Sequence, residues 1–232
     1  DSDGTVFDLM NLKHKICFVE PLIKVYELSE IKDEVQNIWT KINLFSKYRG
    51  VNRFIALYLF FEHLKETDLL INKNDYYFPN LDIIKIWSES KKNLTNESLF
   101  LFMGDIDTHI QNDLKKAINW SIEVNKKVES SIINFPPIPN AIIAMRYLSK
   151  KADMIVFSNT PIKTLNRDWK QNKIYSEVSL VCGQETGDKS DMIKAATDGK
   201  YQNKKIIMIG DSHADFIAAK NNNVLFFPII PS

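Results

Sequence analysis

Apolar side chains from about Glu20 to Ser131 recur every three or four residues, the spacing that gives a helix one buried face. Leu28, Ile31, Val35, Ile38, Trp39, Ile42 and Phe45 form one such stripe. The same rhythm predicts helices at Arg53 to Lys65, Leu81 to Lys92 and Leu114 to Val128, with polar turns at INKND and KKNLTNE. The stretch therefore reads as all-helical. The aromatic residues Trp39, Phe45, Phe54, Tyr58, Phe60 and Phe61 fall on this spacing and are expected in its core.

The proline-rich segment INFPPIPN ends that rhythm and marks a boundary. Beyond it, short apolar runs alternate with helical patterns: AIIAMRYLSKK, MIVF, PIKTLNRDWKQ, VSLVCG, KSDMIKAA, KIIMIG, ADFIAAKN and VLFFPII. Strand alternating with helix predicts a Rossmann-like α/β fold with a doubly wound parallel sheet. In such sheets the residues that leave the carboxyl ends of the strands share one crevice.

Those residues are chemically selective. After MIVF come Ser158, Asn159 and Thr160, a hydroxyl and backbone N–H groups at a helix start, which suits an anionic phosphoryl group. After VSLVCG comes Lys189, placed to reach the crevice. After KIIMIG comes Asp211, with Asp215 one helical turn on, a pair able to hold a divalent cation or orient a lysine. The chain opens DSDGTVFD; if Asp1 ends a strand, Asp1 and Asp3 leave it together where the chain turns at Gly4. Two adjacent carboxylates repel unless a cation or a shared proton offsets the charge, which points to metal-assisted or acid–base chemistry.

Composition narrows the class. The 232 residues are 44% hydrophobic and 25% charged, and 30 basic against 29 acidic side chains leave a net charge of +1. That balance gives no footprint for nucleic acid or an anionic membrane. The most apolar helix, Arg53 to Leu64, falls short of the roughly 20 residues a membrane span needs. Cys17 and Cys182, far apart in apolar surroundings, read as buried thiols of a cytoplasmic protein. Other clusters carry no site. Asp105, Asp107, His109 and Asp113 are expected to cap a helix, and Val6 and Leu12 stand where a calcium loop needs glycine and glutamate. His14, His63, His109 and His213 are scattered and receive no role.

The four stations occur in the order acid pair, hydroxyl, lysine, acid pair. DSDGT at Asp1 to Thr5, FSN at Phe157 to Asn159, Lys189, and GDSHAD at Gly210 to Asp215 resemble the four motifs of the haloacid dehalogenase-like superfamily. The resemblance implies a core of residues 1–14 and 134–232, a helical cap of residues 15–133, and a central strand upstream of Asp1 in a longer chain. It further implies a Mg²⁺-dependent phosphatase acting on a small phosphorylated metabolite. Asp1 would be the nucleophile and Asp3 the acid and base. Asp1, the Asp3 carbonyl and Asp211 would hold Mg²⁺, and Ser158, Asn159 and Lys189 would hold the phosphoryl group. Asp215 would position Lys189 or a metal-bound water. A phosphomutase of the β-phosphoglucomutase type, or a silent domain that binds a phosphorylated ligand, is the alternative. Within the cap, Arg49 and Arg53 of SKYRGVNRF are candidates for a carboxylate or second phosphate of the substrate.

Overall fold

The structure, a computed structural model, describes residues 1–70, 76–90, 93–104, 106–132 and 135–230. The expected turn INKND, the lysines that open the second turn, Asp105 and the boundary at residues 133 and 134 lie outside the described residues. The chain separates into two units: Asp1–Asn11 with Ile132–Ser232, and Leu12–Ser131. The first is an α/β unit, and the second, all-helical, is inserted within its sequence.

The inserted unit follows the single turn α1 (Met10–Leu12), opens on a π-helical turn at Lys13–Phe18, and continues as α2 (Val19–Tyr26). Glu27, at φ 57°, ends α2 in the left-handed region. Then come α3 (Lys32–Leu44), α4 (Arg53–Lys65), α5 (Asp82–Ser90), α6 (Asn96–Met103) and the long α7 (Thr108–Ser131). The expected stripe is thus interrupted, since Leu28 and Ile31 are buried ahead of α3 and Phe45 lies just beyond its end. Phe45 has left the helical conformation and is 75% exposed, which corrects its placement in the core. Helix α6 is an addition, begun by a capping box between Thr95 and Ser98. The core is aromatic: Trp39 and Trp120 meet edge to face at 5.5 Å, and Phe18, Phe54 and Phe60 surround them.

In the α/β unit, α8 (Ala141–Leu148) precedes β1 (Ile155–Phe157), α9 (Ile162–Gln171), β2 (Leu180–Cys182), α10 (Lys189–Thr197), β3 (Ile207–Gly210), α11 (His213–Asn221) and β4 (Leu225–Pro228). Strand β1 pairs in parallel with β2, and β3 with β4, so each ladder needs a helical crossover. Helix α9 links the first ladder and α11 the second. One apolar cluster joins them: Phe157 and Cys182 from the first ladder, Met208 from the second, and Met192, Ile193, Ala218 and Ala219 from α10 and α11. The Asp1 main-chain nitrogen donates to the Ile209 carbonyl at 2.9 Å, which sets the opening loop beside β3. Among the described residues no helix is long and apolar enough to cross a membrane.

Candidate active site

Loop 1–7 is wound tightly by its own backbone. The Ser2 carbonyl accepts N–H groups from Thr5, Val6 and Phe7, and Gly4 N–H donates to the Phe7 carbonyl. Gly4 sits at φ +81°, and a Cβ built there would lie 2.1 Å from Asp211 Oδ2. Glycine is required on both counts, because a side chain would be strained and would displace the Asp211 carboxylate. Gly210 is constrained by space alone, since a Cβ there would lie 2.4 Å from the Asp215 carboxylate. The backbone is thus cut away where two of the acids must approach.

The strand ends deliver the charged groups to one place. Lys189, the first residue of α10 and 7% exposed, puts its Nζ 3.0 Å from Asp1 Oδ1 and 2.5 Å from Asp215 Oδ1. Asp1 Oδ1 also accepts the Ser2 N–H at 2.7 Å, which fixes the orientation of that carboxylate. Asp215 is fully buried and doubles as the N3 residue of a capping box, with its Oδ2 accepting from Ser212 Oγ at 2.7 Å and Ser212 N–H at 3.1 Å. Burial pushes the Asp215 carboxyl upward. The Lys189 ammonium and the hydrogen bonds from Lys189 and Ser212 outweigh that and hold it below the ordinary carboxylate value.

Oxygen atoms of Asp1, Asp211 and Asp215 all lie within 4.8 Å of one another. Three carboxylates facing one ammonium leave excess negative charge, and their hard oxygen donors suit a Mg²⁺ ion. The room made for Asp211 at Gly4 serves the same fit. The Asp3 carboxylate stands apart from this trio, its Oδ2 accepting a 2.8 Å hydrogen bond from Thr160 Oγ1.

Ser158 follows β1 and is 2% exposed, its N–H donating to the Cys182 carbonyl and its Oγ accepting from Thr160 N–H at 3.2 Å. Asn159 stands between them, half-buried. At the start of α9 the Ile162 N–H donates to Glu185 Oε2 at 3.1 Å, so a carboxylate already caps that helix end. Arg49 and Arg53 belong to the helical unit. Arg49 Nη1 donates to the Leu44 carbonyl, while Arg53 Nη1 donates to Asn125 Oδ1 at 2.7 Å, to Ser121, and stacks 5.4 Å over Phe18. Burial pushes the Arg53 guanidinium down to about 10. Asp113, from the cluster expected to cap a helix, instead lies buried in α7 and accepts from Tyr77 and Asn80. Cys17 and Cys182 are buried free thiols.

Sequence reasoning placed Thr160 at the helix start without its bond to Asp3, and passed over Ser2 and Trp169. Trp169 Nε1 donates to Ser2 Oγ at 3.0 Å within the interior of the α/β unit. One signal for Ser2 was present, because a residue between two outward acids on extended chain faces inward, and a buried hydroxyl needs a partner.

A family model described as haloacid dehalogenase-like hydrolase matches residues 64–229 of this chain. No curated protein sequence matches it. Among solved structures it is similar to a protein from Bacteroides fragilis described as a haloacid dehalogenase-like hydrolase, with TM-score 0.51, 15% identity, and 97% of this chain and 83% of that chain covered. At that identity the likeness is one of fold alone. It is also similar to the HAD hydrolase YfnB from Bacillus subtilis in a magnesium-bound form, with TM-score 0.46, 12% identity, and 100% of this chain and 90% of that chain covered.

Proposed function

The chain belongs to the haloacid dehalogenase-like hydrolases, and from that membership we propose that it is a Mg²⁺-dependent phosphatase of a small phosphorylated metabolite. The observation that carries this reading is Lys189 bridging Asp1 and Asp215 beside Asp211, inside a trio of carboxylates sized for one cation.

The Asp1 carboxylate attacks phosphorus. A bond forms from its oxygen to phosphorus as the ester P–O bond breaks, giving an aspartyl-phosphate and splitting one hard displacement into two easier ones. Asp3 gives a proton to the departing oxygen, then takes one from the water that cleaves the aspartyl-phosphate. The Ser158 hydroxyl and the main chain at Asn159 hold phosphoryl oxygens, and Lys189 offsets charge on the transferring group and on Asp1. Asp1, Asp211 and the Asp3 main-chain carbonyl would hold Mg²⁺, with Asp215 beside them steering Lys189. When bound, the ion supplies the positive charge that lets an anionic carboxylate approach an anionic phosphate. The helical unit serves as the cap that selects substrate. Of its two candidate arginines Arg49 carries that role in this proposal, and Arg53 serves the helical core. The buried free thiols support a cytoplasmic setting.

The test is Mg²⁺-dependent phosphate release from a panel of phosphorylated metabolites and p-nitrophenyl phosphate, with Asp1→Asn measured alongside. Release by the parent alone, abolished by chelator and restored by Mg²⁺, is the expected result. Absence of release from both proteins overturns the phosphatase reading and favours the mutase or the silent binder.

A further inference from the structure

Ser2 lies between Asp1 and Asp3 in the opening loop and is itself buried, at 1% exposure. A hydroxyl in that position is costly unless it is hydrogen-bonded. Its partner is the indole N–H of Trp169, itself 1% exposed, at 3.0 Å across 167 residues of sequence. The contact reaches both ends of the loop, because the Phe7 ring meets Trp169 edge-on at 6.1 Å and 79°. Between those two supports the Ser2 carbonyl gathers the N–H groups of Thr5, Val6 and Phe7, and the Ser2 N–H orients Asp1. The bond to Trp169 therefore tethers to the interior the one residue whose N–H aims Asp1 and whose carbonyl holds the backbone that carries Asp3.

Trp169 belongs to α9, and α9 starts just after Ser158, Asn159 and Thr160. One helix thus carries the phosphoryl-holding loop at its start and the anchor of the aspartate loop near its end. An apolar ring would fill the same space, but only the directional N–H tethers the Ser2 side chain, and through its short Cβ link the Ser2 main chain, at a set distance from α9. We propose that Trp169 is a positioning residue, acting through Ser2 to register the Asp1 and Asp3 carboxylates against the phosphoryl group. The inference rests on the phosphatase reading above.

The experiment compares the full chain with Trp169→Phe, which keeps a ring and removes the N–H, with Ser2→Ala, and with the double variant. Turnover of p-nitrophenyl phosphate with Mg²⁺, urea unfolding and calorimetric Mg²⁺ titration are measured on each, with Asp1→Asn as the chemical control. Misplacement of reacting groups acts on the chemical step, so kcat falls about tenfold in each single variant while KM stays within about twofold. The double variant loses no more than either single one, because both remove the same bond. The Mg²⁺ dissociation constant rises several-fold in the same three proteins.

If Trp169→Phe does not fold, Ser2→Ala carries the test alone, since it removes only one oxygen. Parental kcat and Mg²⁺ affinity in the variants, with stability alone reduced, make Trp169 a core filler and overturn the proposal. Multiplied losses in the double variant overturn it too. A parent without turnover removes the phosphatase reading, and this inference with it. An active parent, a dead Asp1→Asn and unaffected variants remove this inference only.

Discussion

The Thr160 hydroxyl donates a 2.8 Å hydrogen bond to Asp3 Oδ2, joining residues 157 positions apart in the chain. Thr160 holds no charge, and its bond falls on the group assigned to proton transfer. Thr160→Val keeps the shape and removes the donor. Turnover of an alkyl phosphate, whose leaving oxygen needs a proton, should fall about tenfold or more. Turnover of p-nitrophenyl phosphate, whose leaving group departs as the anion, should fall much less, and equal losses on the two substrates would count against an effect on protonation of the leaving oxygen and assign it to the shared water step.

Lys189 is the cation between two acids, at 7% exposure against 8% for the Asp1 side chain and 0% for Asp215. Removing one partner of a buried ionic group leaves the others uncompensated, at about 3–5 kcal/mol. Lys189→Met should therefore abolish turnover and lower the thermal midpoint in chelator. Added Mg²⁺ should restore part of that midpoint without restoring activity, as a differential scan with and without the ion will show.

Gly4→Ala tests the approach of Asp211 to the loop. The new Cβ would fall 2.1 Å from Asp211 Oδ2 at a backbone angle alanine rarely adopts. Mg²⁺ affinity should fall by at least about tenfold, equivalent to about 1.4 kcal/mol. Calorimetric titration measures it, and parental affinity would show that Asp211 is dispensable for the ion.

The Asp215 carboxyl is held below its ordinary value. A depressed acid contributes stability that is present above the unfolded value of about 4 and lost as pH falls through the folded one. Asp215→Asn removes this contribution. The stability gap between parent and variant, about 3 kcal/mol from the broken buried pair, should be full at pH 7 and close progressively below pH about 4. Urea unfolding across that range checks the slope, and a constant gap would assign the loss to packing.

The acids and the lysine were readable because each follows an apolar run at a predictable place: Asp211 after β3, Lys189 after β2, and Asp215 one turn beyond Asp211. Their meeting point follows from parallel topology, since strand ends in such a unit point one way. The neutral partners were not readable. Nothing near Ser2 names Trp169, and nothing near Asp3 names Thr160, because these bonds depend on side-chain rotamers set by the packed interior. Helix α6 was missed because SLFLFM places apolar residues side by side and shows no helical face, although Thr95 and Ser98 held its start signal. Arg53 reads as a substrate-binding arginine beside a glycine turn, yet its acceptors arrive from α7, 68 and 72 residues later.

Of the four tryptophans, Trp39, Trp87 and Trp120 belong to the helical unit, and Trp169 alone belongs to the α/β unit. The aspartate loop therefore has its own spectroscopic reporter. Uniform labelling with 5-fluorotryptophan yields one fluorine resonance from the indole that touches Ser2, assigned by its disappearance in Trp169→Phe. Its chemical shift follows the loop through ion binding and phosphoryl transfer, while the other three signals follow the helical unit in the same spectrum.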